Sequence, residues 1–337
     1  MFEIKENFAL KKFNTFGINV KTKYFIPCSS ESDITEFLNI HKNMDLPLMI
    51  LGGGSNVLFT GDYDGYILHP NIKGIEIIHE TNDEIEVRVG AGEDWDEFVK
   101  FCVEKGWGGV ENLSLIPGNV GTCPIQNIGA YGVEVKDVVT KVEAIEIDTQ
   151  KRVQYRNEEC EFDYRDSIFK RKLKGKLIIT YVTFLLKKQP KFKLNYGNLN
   201  EQLKLLGEVN LNNIRQAVIT IRESKLPKPE EIGNAGSFFK NPIIKKGKAN
   251  RLKEKWPEIP IYIINDNLVK IPAGWLIEKA GFKSKQMGNA GVHDKQALVL
   301  VNRGNATGEE IIHLARNIQK AIMILFDIEL EMEVNII

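Results

Sequence analysis

The sequence predicts an α+β protein. Two observations carry the prediction: short apolar or alternating runs of strand character fill the first 187 residues, and the later part holds long helix-period patterns with clear start and stop signals. Residues 46–51 form a continuous apolar run, the mark of a strand buried on both faces, and end in three glycines. Residues 84–89 alternate charge with Ile85, Val87 and Val89, so one face of that strand is expected to be solvated. Trp95, Phe98, Val99 and Cys102 then recur at helical spacing until Gly106 and Gly108 stop the helix. Residues 138–147 and 177–186 read as further strands, and the polar stretch 187–196, with Pro190, reads as a domain boundary. A helix from Leu211 places Ile214, Ala217, Val218 and Ile221 on one face and ends before Pro227 and Pro229. Thr307 and Glu310 have the spacing of a capping box, opening a helix whose buried face is expected to carry Ile311, Ala315, Ile318, Ile322 and Leu325. Residues 329–337 read as a closing strand. No repeat, heptad seam or low-complexity tract interrupts this order.

Composition narrows the function. A chain of 337 residues, 43% hydrophobic, can bury two or three cores. Lys plus Arg and Asp plus Glu both total 45, so no net field draws it to nucleic acid or anionic lipid, and the basic stretch 245–255, interrupted by Glu254, reads as a solvated loop. Cys28, Cys102, Cys123 and Cys160 lie far apart with no Cys-x-x-Cys pair, as expected of reduced thiols in a cytoplasmic protein rather than of a zinc site or a disulfide framework. His69 and His79 stand ten residues apart and His293 has only Asp294 beside it, so no metal is expected. Residues 1–12 lack the apolar core of a signal peptide, and the run 177–186 is about half of the roughly 20 residues a membrane-spanning helix needs. The expectation is a soluble protein with no nucleic-acid or membrane partner.

Three segments carry chemistry. LGGGSNVLF (51–59) is a strand followed by Gly52, Gly53, Gly54, Ser55 and Asn56, whose backbone N–H groups suit a pyrophosphate nest; an ordinary tight turn is the alternative. It is not the dinucleotide fingerprint, because Val57 stands where the last glycine belongs. LIPGNVGTCPIQNIGAYG (115–132) has four glycines, two prolines and almost no charge, which suits main-chain donors held against a flat, neutral, heteroatom-rich ring such as an isoalloxazine. Its expected cofactor contacts are Ile116, Pro117, Gly118, Gly121, Thr122, Gln126, Asn127, Gly129, Ala130 and Tyr131; a buried irregular core loop is the plain alternative. In GNAGSFFKNP (233–242) small residues precede the hydroxyl of Ser237, and Lys240 and Asn241 follow as polar partners, an arrangement that can deliver a proton. The same letters also suit a bulged strand with a core aromatic pair.

These segments occur in one order with NTFGI (14–18), YRDSIFK (164–170), NYGNL (195–199), SKLPKP (224–229), AGWLIEKAGFK (273–283) and KQALVLVN (295–302). Together they resemble the UDP-N-acetylenolpyruvoylglucosamine reductase family, flavoenzymes of bacterial peptidoglycan precursor synthesis, over nearly the full chain. The resemblance implies an FAD-binding fold of the vanillyl-alcohol-oxidase type in two subdomains, 1–70 and 71–187, the first joined by the closing strand 327–337, plus an α+β substrate-binding domain over 188–326. NYGNL is similar to the loop of the family's first type, whose tyrosine closes over the substrate. Carried over by position, the catalytic residues are Arg165, Ser237 and Glu333; the substrate contacts are Tyr196, Lys225, Asn241, Lys283 and Gln296; Tyr164 and Arg222 join the flavin contacts. Implied with them are non-covalent FAD, NADPH as hydride donor, UDP-N-acetylglucosamine enolpyruvate as substrate, and a monomer. One position departs: Asn335 stands where an arginine is expected.

The implied reaction reduces an enolpyruvyl ether to a lactyl ether. Hydride addition to the terminal alkene carbon pushes charge into the carboxylate, which a guanidinium such as that of Arg165 can hold as a fork. Glu333 helps only if protonated or shared with Arg165, and Ser237 would protonate the α carbon. Each residue also has a plain structural reading: Arg165 in a surface ion pair with Asp166, Glu333 as charge on a strand edge, Lys225 as a solvated lysine, Tyr196 as a turn aromatic. The rival functions are a flavin oxidase or dehydrogenase of a hydroxy acid or alcohol, and a nucleotide-sugar-binding module without chemistry.

Overall fold

Contacts divide the chain of this computed structural model, which describes residues 3–42 and 45–337, into two compact units. The first holds residues up to 8, 22–53 and 64–222, and the second holds 9–21, 54–63 and 223–337. Met1 and Phe2, the start of the segment read above for a signal peptide, lie outside the described residues.

The first unit is built on a five-stranded antiparallel sheet in the order Arg152–Arg156, Val139–Glu146, Leu177–Lys187, Glu84–Gly90, Ile75–Glu80. Alternation in Glu84–Gly90 does what its sequence requires: Ile85, Val87 and Val89 are fully buried while the charged residues between them are half-exposed. Helix Trp95–Glu104 starts where Asp94 accepts the N–H groups of Asp96 and Glu97, and it lays Trp95 and Phe98 against Phe184 of the sheet. The Trp95 indole N–H is satisfied by the Leu113 carbonyl at 2.9 Å. A four-stranded sheet in the order Lys5–Ala9, Lys21–Cys28, Tyr63–Pro70, Leu48–Ile50 completes the β structure of this unit apart from a short hairpin, Gly129–Ala130 with Val133–Glu134. The run 46–51 is a strand only over Leu48–Ile50, and its side chains are half-buried rather than covered on both faces, because it lies at the sheet edge. Helices Leu199–Leu206 and Leu211–Lys225 share a small core of Leu199, Leu203, Ile214, Ala217, Val218 and Ile221, with Tyr131, Phe192 and Leu194 packed on it. The stretch 187–196 therefore runs inside this unit, and the division between units falls at 222/223, within the last turn of helix Leu211–Lys225.

The second unit contains a four-stranded sheet in the order Gly233–Ser237, Val299–Asn302, Ala290–Val292, Gln286–Met287, and a three-stranded sheet of Ile243–Lys245, Leu268–Lys270 and Tyr262–Ile263. The basic stretch expected as a loop is instead helix Lys246–Lys255, because Ala249 and Leu252, three residues apart, supply a buried stripe for it. Helix Gly308–Phe326 begins at the predicted capping box, with Thr307 Oγ1 accepting the Glu310 N–H at 3.2 Å. Ile311, Ala315, Ile318 and Ile322 line its buried face as expected, but Leu325 is exposed. Phe326, four residues after Ile322, takes the core place and meets Trp256 and Trp275 with ring centroids 5.4 and 6.0 Å apart. The closing strand shortens to Asn335–Ile336, parallel to Val57–Leu58, while Leu330 and Val334 before it are buried. Among the described residues no helix is long and apolar enough to cross a membrane, and no three His, Cys, Asp or Glu side chains are grouped to hold a metal.

Candidate active site

In the first unit, loop 115–132 is held by backbone bonds, among them Val120 N–H to the Glu93 carbonyl and Gly121 N–H to the Ala91 carbonyl, both at 2.9 Å, and side chains fasten it and the turn at Arg165 further. Leu115, Asn127, Tyr131 and Arg165 all have left-handed backbone, with φ of 59°, 45°, 48° and 54°. Each costs an L-residue about 1 kcal/mol or more, and such strain persists only where the surroundings impose it. The fastenings are identifiable. The Leu115 N–H donates to Asp96 Oδ1 at 2.5 Å, and the Asp96 carboxylate is gripped by the Arg215 fork at 2.6 and 2.8 Å. Burial by itself would raise the Asp96 carboxyl, but the hydrogen bonds from Arg215 and Leu115 and the charges of Arg215 and Arg222 outweigh it and bring the group below its ordinary value. Asn112 donates to the Tyr131 and Lys193 carbonyls. Asn127, fully buried, gives Nδ2 to the Asp163 carbonyl at 3.0 Å and takes the Lys136 N–H on Oδ1 at 3.1 Å, so both ends of its amide serve the fold. The Thr122 hydroxyl donates to the Asn119 carbonyl at 2.7 Å.

Gly52 and Gly53 meet this same loop. A Cβ on Gly52 would strike the Thr122 methyl, and one on Gly53 would stand 2.6 Å from Asn119 Oδ1 and 2.9 Å from Gly118 Cα, so glycine is needed there for loop-on-loop packing. Arg165 occupies the second central position of a tight turn closed by reciprocal backbone bonds between Asp163 and Asp166. Its Nη2 donates to the Gly129 carbonyl at 2.8 Å, which aims the guanidinium along the loop, while Asp166 is engaged by Arg171. Arg222, on the last turn of its helix, has its Nε buried with no hydrogen-bond partner among the described residues. Burial lowers its pKa, the neighbouring Tyr131 and Asp96 raise it, and the nearby Arg165 charge lowers it further. Burial likewise raises the Tyr131 phenol, which the Arg222 charge opposes. Arg165, Arg222, Tyr131 and Tyr196 are thus brought together; Tyr196 is 55% exposed, with its ring centroid 6.4 Å from that of Tyr131. Lys225 is exposed at the end of the same helix.

These surroundings fit a bound FAD. A buried, unpartnered guanidinium N–H and two arginines in electrostatic reach of each other call for an anionic or heteroatom-rich partner.

In the second unit Ser237 and Glu333 are brought together by backbone pairing. Strand Gly233–Ser237 is bulged between Asn234 and Ser237, as the sequence allowed, with Gly236 left-handed at φ 66° and its N–H held by Asn234 Oδ1 at 3.0 Å. Ser237 emerges exposed, while Phe238 and Phe239 after it are buried. The Glu333 N–H donates to the Phe238 carbonyl at 2.8 Å and the Lys240 N–H to the Glu331 carbonyl at 2.9 Å. Asn56 reaches the Glu333 carbonyl with Nδ2 at 3.2 Å, and Gly54, at φ 64°, lies so close to the Phe13 carbonyl that no Cβ fits. Asn335, where an arginine was expected, donates through its backbone and its side chain to the Asn56 carbonyl at 3.1 and 2.9 Å. Asn241 Oδ1 accepts the Ala273 N–H at 2.9 Å, Lys283 pairs with Glu278 at 3.0 Å, and Gln296 Oε1 accepts the Leu298 N–H at 3.3 Å. Asp96, Asn112, Asn119 and Asn234 escaped the sequence reading, since a lone Asp or Asn carries no local sign of its distant partner.

The chain is similar to known proteins over its whole length. Residues 22–150 match the family model of an FAD binding domain, and residues 228–337 match that of the UDP-N-acetylenolpyruvoylglucosamine reductase C-terminal domain. The chain is 49% identical to the UDP-N-acetylenolpyruvoylglucosamine reductase of Flavobacterium johnsoniae, over 99% of this chain and 100% of that protein. It is 46% identical to the enzyme of the same name from Bacteroides fragilis, again over 99% and 100%. A crystal structure of UDP-N-acetylenolpyruvylglucosamine reductase from Thermus caldophilus superimposes with a TM-score of 0.70 over 100% of this chain and 99% of that one; at 21% identity it speaks to the fold. On full-length identity of this size, the chain belongs to the UDP-N-acetylenolpyruvoylglucosamine reductase family.

Proposed function

We propose that the chain catalyses NADPH-dependent reduction of UDP-N-acetylglucosamine enolpyruvate to UDP-N-acetylmuramate with non-covalently bound FAD, as a cytoplasmic monomer. The observation that carries this reading is the pairing of Glu333 with Phe238, which sets a carboxyl group and the Ser237 hydroxyl on adjoining backbone. FAD, when bound, relays hydride from NADPH to the terminal alkene carbon of the substrate. Loop 115–132, residues 52–56, Tyr164 and Arg222 would hold it.

Arg165 binds the substrate carboxylate as a fork and stabilises the charge that hydride addition pushes there; its bond to Gly129 holds the guanidinium ready. Ser237 gives its hydroxyl proton to the α carbon and takes one back from solvent, to which it is exposed. Glu333, as a protonated donor or as the partner of Arg165, supports the same carboxylate. Tyr196 and Lys225 hold the substrate diphosphate, and Asn241, Lys283 and Gln296 complete the substrate contacts. This assigns flavin binding to 1–70 with 327–337 and to 71–187, and substrate binding to 188–326, a division by role that differs from the division by packing.

The purified protein is expected to be yellow, to bleach anaerobically with NADPH, and to recover its colour on addition of the enolpyruvyl substrate. A colourless protein, or reduced flavin that only oxygen reoxidises, overturns the reading.

A further inference from the structure

We propose that Asn112 is a positioning residue for Tyr196: its side-chain amide ties the turn beneath the tyrosine to the segment that carries it, and so sets where the ring stands over the substrate. The proposal rests on the reading that Tyr196 contacts the substrate. Asn112 lies in the short 3-10 helix Glu111–Leu113 and is fully buried. Its Nδ2 gives one hydrogen to the Tyr131 carbonyl at 2.9 Å and the other to the Lys193 carbonyl at 2.8 Å. One amide thereby fixes two segments that meet at Tyr196.

The first is the hairpin turn between Gly129–Ala130 and Val133–Glu134. Its central residues, Tyr131 and Gly132, are both left-handed at φ 48° and 80°, as a two-residue hairpin turn demands. A Cβ placed on Gly132 would stand 3.6 Å from Tyr196 Cβ, and the Tyr131 ring meets the Tyr196 ring edge to face at 84°. The turn is the floor on which Tyr196 rests. The second segment is pinned at Lys193, whose Nζ also binds Asp137 Oδ2 at 2.8 Å. Three residues further on, within about 10 Å of extended chain, stands Tyr196, 55% exposed. A floor and a short tether therefore share one anchor.

Asn112 Oδ1 is buried with no hydrogen-bond partner among the described residues.

The test uses the full-length, FAD-loaded protein and compares wild type, Asn112→Leu, Tyr196→Ala and the double variant. Asn112→Leu keeps the branching of the side chain and removes both donors. It is expected to raise the substrate KM about tenfold, the scale of one to two neutral hydrogen bonds, and to leave flavin reduction by NADPH within about twofold. In the double variant the KM is expected to equal that of Tyr196→Ala, because Asn112 acts through the tyrosine. An unchanged KM in Asn112→Leu, or effects that multiply in the double variant, overturns the proposal while leaving Tyr196 as a substrate contact. An unchanged KM in Tyr196→Ala overturns the Tyr196 reading itself, and the positioning role with it. Asn112→Ser, which keeps one donor, serves if the leucine variant does not fold; its KM is expected between those of wild type and Tyr196→Ala, and a wild-type value overturns the proposal.

Discussion

The two units hold their proposed catalytic side chains by different means. In the first, Arg165 sits on a left-handed turn, and the neighbouring loop adds to its backbone bonds three side chains, Asp96, Asn112 and Asn127, that bond to main-chain groups. In the second, Ser237 and Glu333 ride on backbone-to-backbone pairing, including the bond from Glu333 N–H to the Phe238 carbonyl. Backbone pairing survives the loss of any one side chain. A loop fastened partly by side chains loosens locally where one is lost, and it inherits the titration of those that are charged.

The largest expected effect separates chemistry from scaffold in the paired unit. Ser237→Ala should slow flavin reoxidation by the enolpyruvyl substrate by about 10²- to 10⁴-fold, the usual contribution of a positioned general acid, with flavin reduction by NADPH and the melting temperature unchanged. Stopped-flow traces in which both half-reactions slow equally would remove Ser237 from the proton step.

The fastened unit should answer differently. Asp96→Asn removes the charge that Arg215 grips and weakens the acceptor for Leu115, at a cost of about 1.5–3 kcal/mol by urea unfolding at neutral pH. Because the folded Asp96 carboxyl lies below its ordinary value, the pair's stabilisation is fully present above the ordinary range near pH ~4 and is lost as pH falls through the depressed value. The wild type should therefore lose an increment in acid that the variant lacks, and the gap between them should narrow. A gap independent of pH would show that Asp96 acts by shape alone and would break the contrast.

The smallest effect is a control in the paired unit. Thr307→Ala removes the cap of helix Gly308–Phe326 and should cost about 1 kcal/mol of stability, with both half-reactions at wild-type rates. Slowed flavin reoxidation in this variant would mean that the pairing at Ser237 is less independent of its surroundings than the bonding pattern implies.

Much of this was legible in the sequence wherever a residue's neighbours along the chain decide its place. The alternation of Ile85, Val87 and Val89, the face of Ile214, Ala217, Val218 and Ile221, and the Thr307–Glu310 box all act within one or two turns of chain, so local period and capping chemistry suffice. The ordered motifs also identified the family that full-length identity establishes. Local reading failed where a small error of phase or a sparse signal mattered. Leu325 and Phe326 exchange places because one residue turns a helix by about 100°, and the helix Lys246–Lys255 was hidden under its own charge.

What only the tertiary structure decided is which polar residue meets which distant backbone. Asp96 finds Arg215 at a separation of 119 residues, Asn112 finds Lys193 at 81, and Asn56 finds Glu333 at 277. Nothing near Asp96 or Asn112 in the chain marks it, since a hydrogen bond depends on where two segments meet after folding. Glycine carries the same lesson. Gly52, Gly53 and Gly54 announced a turn open to a ligand, yet their missing side chains leave room for Thr122, Gly118 and the Phe13 carbonyl, because absent volume is filled by whatever the fold brings closest.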